Sequence, residues 1–334
     1  MHRYLCWLVV WMLLLGSAFT PPAFATPQQW RQEGWAKTDF RRSKIDWSEI
    51  LSGGPPKDGI PSIDTPLFKN VTEIRDLAAV EPVIGLEIEG DARAYPLRIL
   101  IWHEIVNDTV GGRPVAVTYC PLCNSAVVFD RRVGGRELDF GTTGKLRNSD
   151  LVMYDRQTES WWQQFTGEAI VGSMLGQELK LVPARLESFA EFTARHPNGR
   201  VLAPSDPTLR RYGINPYRGY DSSARPFLFD GSLPPGIPAM ARVVVVKADR
   251  TKPVIVALEH LRKHRQLQFG ALRLAWRPGQ ASAVDTSEIA LGQDVGTVEV
   301  TAVDATGKSE LVPYDVTFAF VAHAFHPDVE IVQR

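Results

Sequence analysis

Apolar and polar positions change their rhythm several times along this chain. Leu5 to Leu15 is an apolar run behind a short basic start, His2 and Arg3, and it ends in the small residues Ala23-Phe24-Ala25. This is the layout of a secretory signal peptide cleaved after Ala25, and the run is too short to span a bilayer. Residues 26–80 are rich in Trp, Arg, Pro and Gly, with Gly53-Gly54-Pro55-Pro56 as a breaker, and are expected to wrap over the main body as an arm. From Pro82 the pattern predicts a strand over 83–88, a short apolar helix over 97–104, and strands over 114–119 and 126–130. Residues 186–196 place Leu186, Phe189, Ala190 and Thr193 on one helical face, and Pro197-Asn198-Gly199 ends it. Residues 206–240 are dense in Pro, Gly, Tyr and Ser and read as an irregular connector. Strand signals resume over 242–246.

The pattern also echoes itself. Leu181-Val182-Pro183 and, after a helical stretch, His196-Pro197 recur as Leu311-Val312-Pro313 and His326-Pro327. A fainter echo sets Ile84–Leu86 beside Val244–Val246. The expectation is a mixed α+β fold of two related lobes, a degenerate internal duplication with β-rich cores and short helices. The first lobe would span 81–205 and the second 241–334, with the functional site on the first, facing a cleft.

Composition adds exclusions. A net charge of −1 gives nucleic acid no reason to bind, and no second apolar stretch of spanning length follows the signal. The mature protein is expected to be periplasmic or secreted, with no integral membrane segment. Hydrophobic content of 44% is ordinary for a globular chain. Cleavage would remove Cys6 and leave Cys120 and Cys123 as the remaining cysteines, either a bridge or a site.

Cys120-Pro121-Leu122-Cys123 lies between two predicted strands. Two cysteines three apart on a tight turn make half of a tetrahedral thiolate site, and a second pair is missing, so other ligands must complete it. His103, at the end of the preceding helix, is the candidate third ligand, and imidazole with two thiolates suits copper or zinc. Without metal in an oxidising compartment, Cys120 and Cys123 are expected to form a disulfide. Redox dithiol chemistry is the weaker reading, because no helix N-terminus follows to activate the first sulfur. The alternative to a metal centre is a module that encloses a small ligand near Arg147, Asp155 and Trp161, the disulfide stapling its rim. The polar run from Gly141 to Asp150 reads better as a hairpin loop than as an anion cradle. Of Trp161 and Trp162, adjacent on a strand, at least one should be core.

Arg93-Ala94-Tyr95-Pro96-Leu97, His103-Glu104-Ile105-Val106-Asn107-Asp108 and Val117-Thr118-Tyr119-Cys120-Pro121-Leu122-Cys123 resemble a bacterial exported family catalogued as domain of unknown function 3179. Phe140-Gly141-Thr142-Thr143-Gly144, Met153-Tyr154-Asp155-Arg156, Thr158-Glu159-Ser160-Trp161 and Phe325-His326-Pro327-Asp328 extend the resemblance. It implies an exported protein built as one long family domain, and no particular reaction. Asn124 stands where that family usually has Gly, a position that a left-handed backbone suits and Asn tolerates.

Overall fold

A computed structural model describes residues 26–248 and 252–334, so the signal-peptide reading falls on residues outside the described ones. The mixed α+β, two-lobed expectation is corrected. The chain is mostly β, 39% strand against 15% helix, arranged as a five-bladed β-propeller. Its four main helices, Leu97–His103, Phe189–Arg195, Leu258–His264 and Ala319–Phe325, are each seven residues long, too short to form a layer of their own.

Five sheets carry the architecture. Sheet I orders Arg185–Ser188, Pro82–Ile88, Asp91–Pro96, Arg200–Ala203 and Leu67–Asn70. Sheet II orders Lys180–Leu181, Ser125–Asp130, Arg113–Cys120 and Ile105–Val110. Sheet III takes Ile50–Ser52 from the arm and continues through Phe140–Arg147, Asp150–Asp155, Trp161–Gln163 and Glu168–Val171. Sheet IV orders Tyr314–Phe318, Arg242–Val246, Val254–Ala257 and Ile331–Val332. Sheet V orders Ser309–Leu311, Thr297–Val303, Leu272–Arg277 and Gln266–Phe269. The pairing is antiparallel except where Arg200–Ala203 lies parallel to Asp91–Pro96 and Ile331–Val332 lies parallel to Val254–Ala257.

Sheet II repeats strand for strand as sheet V, and sheet I repeats as sheet IV with one extra edge strand, Leu67–Asn70. Both seven-residue helices that open a run end in a residue with positive φ, Glu104 at 60° and Arg265 at 65°. Both that close a run stop at a histidine outside helical geometry, His196 and His326. Proline follows each and disfavours helix in the residue before it. The two runs do not make separate lobes, because they interlock. Tyr314–Phe318 of the second run packs on Ser125–Asp130 of the first, and Arg185–Ser188 of the first packs on Thr297–Val303 of the second. One hydrophobic core therefore runs through both, from Ile84 and Val117 to Val244 and Phe320.

Sheet III is the fifth blade, inserted into the first run between Asp130 and Lys180. The arm packs on it, with Trp30, Trp35 and Phe40 around Trp161 at ring separations of 5.0–5.4 Å. Gly144 shows how closely the arm passes. At φ 70°, a Cβ there would sit 1.9 Å from the carbonyl of Pro55, so no side chain fits.

Candidate functional site

The Cys turn joins Arg113–Cys120 to Ser125–Asp130. Cys123 N donates to Cys120 O (3.3 Å) and Asn124 N to Pro121 O (3.2 Å). Asn124 has φ 51°, the left-handed backbone that Asn accepts more readily than most residues. Its side chain does what glycine could not, since Nδ2 donates to Val316 O at 2.7 Å. The second run clamps the turn at its neighbours as well. Phe318 N (3.2 Å) and Thr317 Oγ1 (2.7 Å) both donate to Cys123 O. Ser125 Oγ (2.5 Å) and Ala126 N (3.0 Å) donate to the buried carboxylate of Asp315.

Facing the turn is a hairpin of sheet III, Arg147 paired with Asp150 across Asn148 and Ser149. Both turn residues have positive φ, 53° and 63°, as a type I′ hairpin turn requires. Ser149 O receives the Cys123 thiol at 3.4 Å, with Cys120 Sγ at 3.8 Å. Among the described residues, Cys120, Cys123 and Asp150 form the one group of three metal-ligating side chains whose ligand atoms all lie within 4.8 Å of one another. All three are buried. Both cysteines are free thiols in this structure.

Burial sets the electrostatics. It pushes both thiols above their ordinary range, Cys123 well above, so each is held neutral and is a poor nucleophile. Asp150 is pushed up to about 6 by burial, against the pull of Gln163, the Phe165 amide and the Cys123 thiol. Its Oδ2 accepts from Gln163 Nε2 (2.6 Å) and Phe165 N (2.9 Å), while Oδ1 is sealed from water and, among the described residues, has no donor at hydrogen-bond distance. Glu104 stands nearby, pushed up to about 8 by burial and by the charge of Asp150. Glu104 and Asp150 are the two residues that sequence reasoning left without a role here. Asp150 lies in the polar run read as a loop, and only the long-range pairing of sheet III with the Cys turn reveals it.

The structure brings Cys120 and Cys123 together and keeps the other candidates elsewhere. His103 has both ring nitrogens engaged, Nδ1 with Pro61 O (2.7 Å) and Nε2 with the Tyr212 hydroxyl (2.9 Å), and it is not in the Cys–Asp group. Arg147 is ion-paired to Glu49 at 2.6 Å. Asp155 accepts from Thr158 and from Trp162 Nε1 within its own turn. Trp161 and Trp162 are both fully buried, Trp161 against the arm. Arg147, Asp155 and Trp161 thus each have partners within the fold. No described helix is long and apolar enough to cross a membrane.

Neither the comparison with curated proteins nor that with solved structures finds a match. The family comparison does, over most of the chain and across both the Cys turn and Asp150. By that match, at residues 57–329, the chain belongs to the family described as "Protein of unknown function (DUF3179)".

Proposed function

We propose that this protein binds a metal ion between Cys120, Cys123 and Asp150, zinc in preference to copper(I). The observation that carries the reading is the group itself, two buried sulfurs and a carboxylate oxygen of Asp150 all within 4.8 Å of one another, with Asp150 Oδ1 sealed and, among the described residues, without a hydrogen-bond partner. A buried, unmatched carboxylate oxygen is costly, and an ion between it and the thiols removes the cost. Two sulfurs and an oxygen on a tetrahedral zinc lie about 3.5–3.8 Å apart, so donors already within 4.8 Å need only a small inward movement. Copper(I) favours soft sulfur alone, whereas zinc takes both sulfur and carboxylate.

Metal binding must displace the thiol protons, because burial holds both cysteines neutral without an ion. Metal analysis of the intact, folded chain after zinc loading and dialysis tests this. One zinc per chain is expected, with about two protons released on uptake at pH 7. Cys120→Ser, Cys123→Ser and Asp150→Ala should each bind at least about tenfold more weakly. A folded wild-type chain that retains no zinc sinks the proposal. Residues 1–25 support a location outside the cytoplasm, where the metal-free pair would close into a disulfide. Thiol titration of unfolded, air-exposed apoprotein checks the bridge, and a mature protein beginning at Thr26 checks the cleavage.

A further inference from the structure

The helix Leu258–His264 carries His260 and His264 four positions apart, and residues so spaced share one helical face. Their ring centroids are 4.5 Å apart and the planes are inclined at 56°, so the rings meet without stacking. His264 Nδ1 donates to His260 O at 2.9 Å, which leaves Nε2 as the nitrogen with a lone pair. A histidine that ligates a metal is usually held in this way, its second ring nitrogen tied to a carbonyl. Burial, then the charges of His264 and Lys263, lower the pKa of His260 and favour the neutral ring that a metal takes. In the first run the equivalent positions hold Ile99 and His103, and both ring nitrogens of His103 are engaged, so the scaffold itself does not ask for the pair. We propose that His260 and His264 form a second metal site, a pair of adjacent imidazoles for copper(II), separate from the buried Cys120–Cys123–Asp150 centre.

Ring separation selects the ion. Two imidazoles bound to one metal through nitrogens at about 2.0–2.1 Å have centroids about 4.5 Å apart when the bonds meet at a right angle, and about 5.2 Å apart at the tetrahedral angle. The observed 4.5 Å is the right-angle value, which belongs to the tetragonal geometry of copper(II) and not to tetrahedral zinc. Copper(II) also binds nitrogen ligands the most tightly of the divalent first-row ions. Both histidines line a cavity of about 760 Å³ that takes in Met240, Leu258 and Arg242, so the other positions of the ion open on space for water. Among the described residues no third His, Cys, Asp or Glu closes a ligand group with the pair, and water completes the ion. The cations nearby are partly committed. Arg262 and Arg265 lie over the Trp276 ring at 5.6 and 4.4 Å, and Arg242 is ion-paired to Asp221.

The folded full-length chain and a Cys120→Ser, Cys123→Ser double variant are titrated with copper(II) and read by electron paramagnetic resonance. One tetragonal copper signal with two imidazole nitrogens is expected in both, since the site needs no sulfur. Zinc-loaded wild type takes the place of the double variant if that variant does not fold. His260→Ala and His264→Ala should each remove one nitrogen from the signal and weaken binding at least about tenfold. His260 is half-buried and His264 exposed, so both variants should fold, and thermal melts check that they do. Lys263→Ala, which removes only a neighbouring charge, should bind copper at least as well as wild type. An unchanged affinity and nitrogen count in both alanine variants overturns the inference, as does a wild-type chain with no tetragonal copper signal. A signal lost with the cysteines and kept without the histidines places the copper at the buried centre and overturns it too.

Discussion

The run from 82 to 203 and the run from 242 to 332 place the same elements in the same order, and they differ at the points where the first is buried and charged. Glu104 and Arg265 end equivalent helices with almost the same backbone, φ 60° and 65°, and their amides close on Leu100 O and Leu261 O. Their carbonyls receive equivalent amides too, from Tyr119 and Trp276. The side chains then part. The Glu104 side chain is buried, whereas the Arg265 guanidinium lies over the Trp276 ring at 4.4 Å. After Tyr119 comes Cys120 and a tight turn, but after Trp276 comes Arg277, ion-paired to Glu191, and the long segment 278–296. The strained helix end therefore belongs to the scaffold, since both runs have it. What belongs to the site is the chemistry placed on that scaffold, together with the inserted sheet III that brings Asp150.

The interlock between the runs is the first thing to break. Asp315 of the second run is buried, accepts from Ser125 and Ala126 of the first, and has Lys247 Nζ at 3.8 Å. Asp315→Ala should cost about 3–5 kcal/mol, the usual loss when one partner of a buried charged network is removed. Urea unfolding measures it, and a cost below about 1 kcal/mol would mean that the runs are not held together there.

A smaller effect separates the two helix ends by pH. The folded-state values of Glu104 (about 8) and Asp150 (about 6) lie above their ordinary ones, so folding favours their protonated forms. Their stabilising contribution is whole below pH 4 and is lost as pH rises through 6 and then 8. Metal-free protein should therefore be less stable at pH 9 than at pH 5, by on the order of a few kcal/mol. Glu104→Gln should flatten the upper part of that fall, and Arg265→Ala should leave its shape alone. Unfolding curves at the two pH values, taken in chelator, decide this.

Arg265→Ala itself should cost about 1 kcal/mol, the worth of one half-exposed cation–π contact, read from thermal melts. Smaller still is the second interlock, where Arg185 meets Glu299 at 2.9 Å with both side chains partly in water. Glu299→Ala should cost no more than about 0.5 kcal/mol, and its salt dependence should be slight. A loss as large as that of Asp315→Ala would show that the two interlocks carry equal weight.

Local pattern was enough to find the strands and helices around the site. The predicted strand over 83–88 is Pro82–Ile88, and the helix over 97–104 is Leu97–His103. The helix over 186–196 begins later, at Phe189, because Arg185–Ser188 pairs with Pro82–Ile88 as a strand. The propeller was not legible, because its blades are assembled from distant pieces. Sheet II is completed by Lys180–Leu181 only after the whole of sheet III has been inserted. At the site, the spacing of Cys120 and Cys123 gave half of the centre. His103 was a reasonable third ligand by sequence proximity, but the helix end turns its ring toward Pro61 and Tyr212. Asp150 lies outside any local motif and meets the sulfurs only through the turn at Asn148 and Ser149.

The clamp on the Cys turn also ties it to residues near the far end of the chain. Thr317 grips Cys123 across 194 positions of chain, and Phe318 beside it does the same. Closing so long a loop is slow compared with forming the hairpins inside it. A chain that ends at residue 300 keeps both cysteines, Asp150 and the hydrogen bonds within the turn, but loses every contact that Asp315, Val316, Thr317 and Phe318 make to it. On the metal reading proposed above, a chain truncated before Tyr314 should therefore hold zinc more weakly than the full chain.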